Sequence, residues 1–211
     1  MVAVFDLDLL RAARCIAIVR GTSPEHFAST ARTLIGSGVG VFEFPLTTPG
    51  VLAALPPIIE EIGTDAHVGI GSVTTLDEAK AAVEVGAQFL VTPNMDLAVI
   101  EYARSLDLPA VIGAFSPTEI VTAWNAGATA VKLFPASVGG PGYVRELMRG
   151  PFPEIPLVPT GGVKITDVPA FLDAGAVAVG MAGALLGSAP DGGSQDELRS
   201  RIQAFQASVS G

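Results

Sequence analysis

Lysine occurs only three times in this chain, at Lys80, Lys132 and Lys164, and one of the three lies where a charge is least welcome. Lys132 stands inside Ala130-Val131-Lys132-Leu133-Phe134, a run whose apolar, β-branched make-up reads as a buried parallel strand. An unpaired ammonium in such a strand is strongly destabilising. The same desolvation lowers the lysine pKa, making the amine a better nucleophile and suiting it to form a Schiff base with a ketone. Lys80 falls on an amphipathic helical stretch, and it and Lys164 read as solvated. The run Val41-Phe42-Glu43-Phe44 puts a carboxylate, Glu43, in equally apolar company. On residue types alone two roles are open to the pair: proton transfer beside a nucleophilic amine, or a buried structural ion pair.

A second constellation lies in "PTGGVKITD", residues 159–167. Gly161 and Gly162 let backbone amides approach an anion, and a helix starting at Thr166-Asp167 adds the positive end of a dipole. "GMAGALLG" follows, with Gly180 and Gly183 similarly placed. Each is an ordinary turn motif by itself, whereas the two on consecutive strand ends point to a phosphate. Arg20, closing "IAIVR", and Ser72, after "GIG", stand where a carboxylate could be held, although Arg20 reads equally well as a plain surface residue. His26 and His67 receive no role. No His/Cys/Asp/Glu cluster has metal-ligand spacing, so no metal is assigned.

These side chains need a frame that brings distant runs together. Short apolar runs, eight in all, alternate with stretches of helical periodicity: 16–20, 41–44, 67–73, 89–93, 110–115, 130–135, 157–162 and 176–183. Helix starts are signalled by Ser23-Pro24-Glu25, by Thr75, by Ser116-Pro117-Thr118-Glu119 and by Thr166-Asp167, and several helices end on a glycine. Strand and helix repeated eight times in about 200 residues predict a single (β/α)8 TIM barrel over residues 1–211, preceded by a short N-terminal helix. A doubly wound open sheet is the rival, but "VRGTSP" lacks the dinucleotide fingerprint expected after its first strand. In a barrel, period-two alternation turns Glu43 and Lys132 inward and sends Phe42, Phe44, Val131 and Leu133 toward the helices. Strands two and six lie opposite each other, so Glu43 and Lys132 can meet across the core.

Composition narrows the partners. Twenty-one acidic against twelve basic residues give a net charge of −9, which opposes binding to nucleic acid or to an anionic membrane. No apolar stretch reaches 18 residues, and the opening residues lack the pattern of an export signal, so a soluble, cytoplasmic protein is expected. Cys15, the only cysteine, reads as a buried structural thiol.

Taken in order, "IAIVRG", "FEFPLTTP", "VGIGSVT", "FLVTPN", "AVKLFPAS", "PTGGV" and the strand-eight glycines resemble the 2-keto-3-deoxy-6-phosphogluconate (KDPG) and 2-keto-3-deoxy-6-phosphogalactonate (KDPGal) aldolases. That class I pyruvate aldolase family also includes 4-hydroxy-2-oxoglutarate (KHG) aldolases, and the resemblance spans nearly the whole chain. It implies that Lys132 forms the Schiff base with pyruvate and that Glu43 is the acid/base. It also places Arg20, Thr47, Ser72, Pro93, Phe134, Thr160, Gly161, Gly162, Gly180 and Gly183 around the substrate. The expected reaction is cleavage of a 2-keto-3-deoxy-6-phospho sugar acid to pyruvate and glyceraldehyde 3-phosphate, by a homotrimer and without a diffusible cofactor. KHG cleavage, a phosphate-binding barrel isomerase or synthase, and a catalytically silent relative are the alternatives. "FPLTTP" and "FPASVGGPGYV" are closer to the KDPGal branch, since KDPG members carry arginine where this chain has Thr47. Two further departures are Gly183, where many members have a phosphate-binding serine, and Ile112, where they have proline.

Overall fold

The computed structural model describes residues 5–150 and 152–210. Eight strands follow one another along the chain: β1 (Cys15–Ile18), β2 (Val41–Pro45), β3 (His67–Gly71), β4 (Phe89–Val91), β5 (Ala110–Ala114), β6 (Ala130–Leu133), β7 (Leu157–Pro159) and β8 (Val179–Met181). Helix α1 (Leu7–Ala13) precedes them, and α2 (Phe27–Gly36), α3 (Val51–Ile62), α4 (Leu76–Glu84), α5 (Leu97–Ser105), α6 (Pro117–Ala126), α7 (Ala136–Arg149) and α8 (Val168–Asp173) alternate with them. A short α9 (Gly183–Leu186) and the longer α10 (Gln195–Val209) complete the ring.

All the strand pairings are parallel, in the order β7-β6-β5-β4-β3-β2-β1-β8. The remaining seam, between β7 and β8, is held by a single bridge at Thr160 and Gly180 and by the Val177 N–H donating to the Leu157 carbonyl at 3.0 Å. This is the TIM-barrel architecture that the eightfold strand and helix alternation predicts.

The alternation along each strand separates two apolar layers. Phe42, Phe44, Val131 and Leu133 pack outward in the layer beneath the helices. Ile16, Val41, Phe89, Val91, Val111 and Val158 fill the barrel interior. The bottom of that interior is closed by Phe5, stacked on Phe89 with centroids 4.1 Å apart, and by Leu10 of α1. The N-terminal helix is therefore a plug, and Asp6 caps it by accepting the Leu9 N–H at 2.8 Å.

Two of the sequence's helix starts close as capping boxes, Thr75 with Glu78 and Ser116 with Glu119. The other two differ. Ser23-Pro24-Glu25 forms a turn closed by the Phe27 N–H on the Pro24 carbonyl at 3.1 Å, so α2 starts only at Phe27 and has no side-chain cap. Thr166-Asp167 lies in a 3₁₀ turn (Ile165–Asp167), and the α-helix begins after it.

Candidate active site

Lys132 and Glu43 both point into the barrel, and both are buried, at 6% and 1% exposure. They line one small internal cavity with Ile18, Val91, Val158 and Thr160, yet they do not form an ion pair: among the described residues, the ion pairs within 4.0 Å all lie on the surface. Oε2 of Glu43 is buried without a hydrogen-bond partner. The structural ion pair open from sequence is thus absent, and two desolvated ionisable side chains share one small cavity without pairing.

Burial dominates the acid–base character of both groups. It pushes the Glu43 carboxyl up to about 6, against the lowering influence of the Lys132 and Arg20 charges. It pulls Lys132 below the usual lysine value, opposed by the negative charge of Glu43 and assisted by the positive charge of Arg20. Nζ of Lys132 sits 5.3 Å from the centre of the Phe134 ring, whose face is a weak partner compared with a carboxylate.

Above this pair the strands' C-terminal ends surround a cavity of about 550 Å³. Lys132 reaches its floor. Its walls include Arg20, Thr47, Ser72, Pro93, Phe134, Thr160, Gly161, Gly162, Gly180 and Gly183, so the residues singled out from sequence are gathered around one space. Glu43 lies deeper, in the adjoining internal cavity.

Local backbone explains several of these positions. Gly161 and Gly162 have φ of +92° and +78°, in the left-handed region. Side chains there would also press on Phe134 and Ser137. The carbonyls of Thr160 and Gly161 accept the Ala136 and Ser137 N–H groups at 2.8 and 3.0 Å, tying this loop to the start of α7. Gly180 leaves room for the buried Thr160 hydroxyl, which a Cβ would strike. Gly183 is different: a Cβ there meets nothing within 4 Å, so open space stands where a longer residue would fit. Ser72 holds φ of +58°, an uncommon conformation for a non-glycine residue, at the rim of the cavity.

Other residues named from sequence lie elsewhere. Ile112 is fully buried in the layer beneath the helices and touches neither cavity. Cys15 is buried, and burial pushes its thiol up to about 12, which leaves it inert. His67 packs beside Phe5 at the plugged end. Among the described residues, no group of three or more His, Cys, Asp or Glu side chains could hold a metal ion, and no helix is long and apolar enough to cross a membrane.

The sequence reading missed Thr74 and Lys164. Thr74 lines the cavity while its N–H and hydroxyl donate to Glu78 at 2.7 and 2.8 Å. Lys164 is exposed, as its solvated reading requires, but it stands on the cavity rim beside Gly162. Its place two residues after a glycine pair was the available signal.

The match to known proteins agrees with this geometry: the KDPG and KHG aldolase family matches residues 7–198. The chain belongs to that family. Aldolases are carbon–carbon lyases, and this family member is one. It is 32% identical over 166 residues to the 2-dehydro-3-deoxy-6-phosphogalactonate aldolase of Escherichia coli (strain K12), covering 79% of this chain and 81% of that one. It is also 32% identical over 166 residues to the 2-dehydro-3-deoxy-phosphogluconate aldolase of Pseudomonas aeruginosa, covering 78% and 74%. A solved structure of native KDPGal superimposes with a TM-score of 0.84 at 31% identity, covering 92% of this aldolase and 93% of that chain.

Proposed function

We propose that this aldolase cleaves a 2-keto-3-deoxy-6-phospho sugar acid of the KDPGal or KDPG type, through a Schiff base on Lys132. The observation that carries the reading is the buried, unpaired Lys132 amine at the floor of the cavity, with the Glu43 carboxyl at about 6 beneath it. A lysine whose pKa is lowered by burial has a larger neutral fraction and can attack the C2 ketone. Loss of water then leaves an iminium that draws electrons from the C3–C4 bond. Glu43 takes the C4 hydroxyl proton, directly or through a water, as that bond breaks and the aldehyde leaves. The same proton returns to C3 of the enamine, and hydrolysis of the iminium frees pyruvate and Lys132.

In this scheme Arg20 and Ser72 hold the keto acid's carboxylate, while Thr47, Pro93, Phe134 and Thr160 shape the cavity around the carbon chain. The phosphate lies against the Gly161 and Gly162 amides and the turn at Gly180 and Gly183, with Lys164 adding a cation at the rim. The names of the two relatives described above support this substrate class. KHG is a second reading, because a cation on the rim suits a distal carboxylate as well as a phosphate. A homotrimeric, cytoplasmic enzyme completes the proposal, resting on the family resemblance.

A coupled assay of pyruvate release tests it across the phosphogalactonate, phosphogluconate and 4-hydroxy-2-oxoglutarate substrates. The phosphorylated acids should turn over fastest. Release from 4-hydroxy-2-oxoglutarate alone would move the assignment to the second reading, and no release from any would refute the reaction.

A further inference from the structure

Arg20 presents a problem of positioning. Its side chain is exposed, and among the described residues its guanidinium makes no hydrogen bond or ion pair. Only the backbone that carries it fixes where the charge begins. That backbone leaves β1 in a tight bend, the Arg20 N–H donating to the Ile18 carbonyl at 3.0 Å, and is then tied down on two sides.

On one side is Thr48, buried next to the cavity residue Thr47. Its hydroxyl accepts the Gly21 N–H at 3.3 Å and donates to the Gly21 carbonyl at 3.1 Å. On the other side is Asp191, at the end of a 3₁₀ turn (Ala189–Asp191) that follows α9. One carboxylate oxygen of Asp191 accepts both the Thr22 N–H at 2.6 Å and the Thr22 hydroxyl at 2.7 Å, across 169 residues of sequence. Gly21 is wedged between the two anchors, since a Cβ there would lie 3.0 Å from the Pro190 carbonyl oxygen and 3.1 Å from the Asp191 oxygen. The segment beyond β8, which opens at the cavity with Gly183, thus returns to grip the loop beyond β1.

We infer that Asp191 is a positioning residue, which through Thr22 and together with Thr48 sets Arg20 at the cavity so that its guanidinium meets the carboxylate of the bound 2-keto acid. The inference rests on the proposed carboxylate role of Arg20. Hydrogen bonds to a charged acceptor are the stronger kind and suit a fixed geometry. Asp191 and Thr22 are both exposed, so the clamp adds little to global stability, and its loss is felt where the loop delivers its charge.

The test reads the pyruvate concentration that half-saturates borohydride trapping on the enzyme, beside kcat and KM for cleavage and the melting temperature. In Asp191→Ala the half-saturating pyruvate should rise roughly tenfold, about 1.4 kcal/mol. In the same variant kcat should stay within a few-fold of the parent value and the melting temperature should barely move. Asp191→Asn keeps an acceptor oxygen and should recover most of the loss. If Asp191 acts through Arg20, it has nothing left to position once Arg20 is removed, so Arg20→Met with Asp191→Ala should be no worse than Arg20→Met alone. Additive losses in the double variant, or parental half-saturation in Asp191→Ala beside impaired Arg20→Met, overturn the inference and leave the role of Arg20 intact. Parental half-saturation in Arg20→Met overturns both. Should Asp191→Ala fail to fold, Thr22→Val removes one of the two bonds and is read by the same criteria against Arg20→Met.

Discussion

The carboxylate of Glu43 fills the space in which any residue other than glycine at position 71 would carry its Cβ. Gly71 ends β3, paired in register with Pro45 on β2, and its carbonyl accepts the Leu46 N–H at 2.8 Å. The neighbouring strand therefore makes a slot for the acid. This close approach, rather than a hydrogen bond, keeps the unpartnered Oε2 within the barrel.

Gly71→Ala is expected to expel the carboxylate from that slot. Turnover should fall by roughly 10²-fold, the lower range for losing a general acid/base, while circular dichroism remains that of a folded barrel. Activity within a few-fold of the parent in a folded variant would show that the slot does not matter.

Glu43→Gln separates activity from stability. The amide cannot shuttle a proton, so kcat should drop by roughly 10²–10⁴ while trapping of pyruvate on the lysine persists. Stability should move the other way. A carboxyl raised from 4.5 to about 6 binds its proton more tightly in the folded state, so its penalty is absent below pH 4.5, grows between 4.5 and 6, and is complete above. That shift corresponds to about 2 kcal/mol. Denaturant titrations should find the variant more stable than the parent at pH 7 and equal to it near pH 4.

These two variants rest on features of different visibility in the sequence. That Glu43 faces inward follows from period two, with Phe42 and Phe44 on either side demanding the outer layer. Lys132 is legible in the same way, and the glycine pair at 161–162 announces its turn by composition. The slot at Gly71 is not legible, because it depends on register between strands. Nor is the gap between Glu43 and Lys132, since topology brings the side chains to one interior without fixing their separation. The Thr22–Asp191 clamp joins residues at opposite ends of the chain through one carboxylate oxygen, and no local pattern carries that. The late start of α2 has a plainer cause: Ser23-Pro24 satisfies both turn and helix-start preferences, and the turn prevails.

The pH dependence of kcat/KM should carry the signature of Glu43. It acts as a base only when ionised, so the rate should fall on the acid side of about pH 6. Arg20 lowers the pKa of both Glu43 and Lys132 through its charge. Arg20→Met should therefore move the acid limb to higher pH, besides weakening keto acid binding. A limb that stays in place would separate Arg20 from the acid–base pair.

Lys164 offers a cleaner test of the phosphate end than the glycine loop does. Any side chain at Gly162 is strained at its positive φ and presses on Ser137, so a loss there would not distinguish charge from distortion. Lys164→Met keeps a stem of similar length and removes only the cation. KM for the phosphorylated substrate should rise several-fold and lose much of its salt dependence, while half-saturating pyruvate in borohydride trapping stays unchanged. Equal effects on the two would place Lys164 outside the substrate's distal end.

Pyruvate with borohydride should leave one reduced pyruvyl adduct on the intact protein, and peptide mapping should place it on the segment containing Lys132. The chain supplies its own controls. Lys80 is exposed and 3.6 Å from Asp77, and Lys164 is exposed at the rim, so neither shares the burial that lowers the Lys132 pKa, and neither should be labelled. Lys132→Met should abolish labelling in a protein that folds at least as well, because an apolar side chain of similar length fills the interior without a charge to desolvate. Since Lys132 and Glu43 do not form an ion pair, the usual objection that removing one partner strands the other carries less force here. An adduct on Lys164, or none in the folded parent enzyme, would overturn the Schiff-base mechanism and leave the buried lysine without a chemical reason to be there.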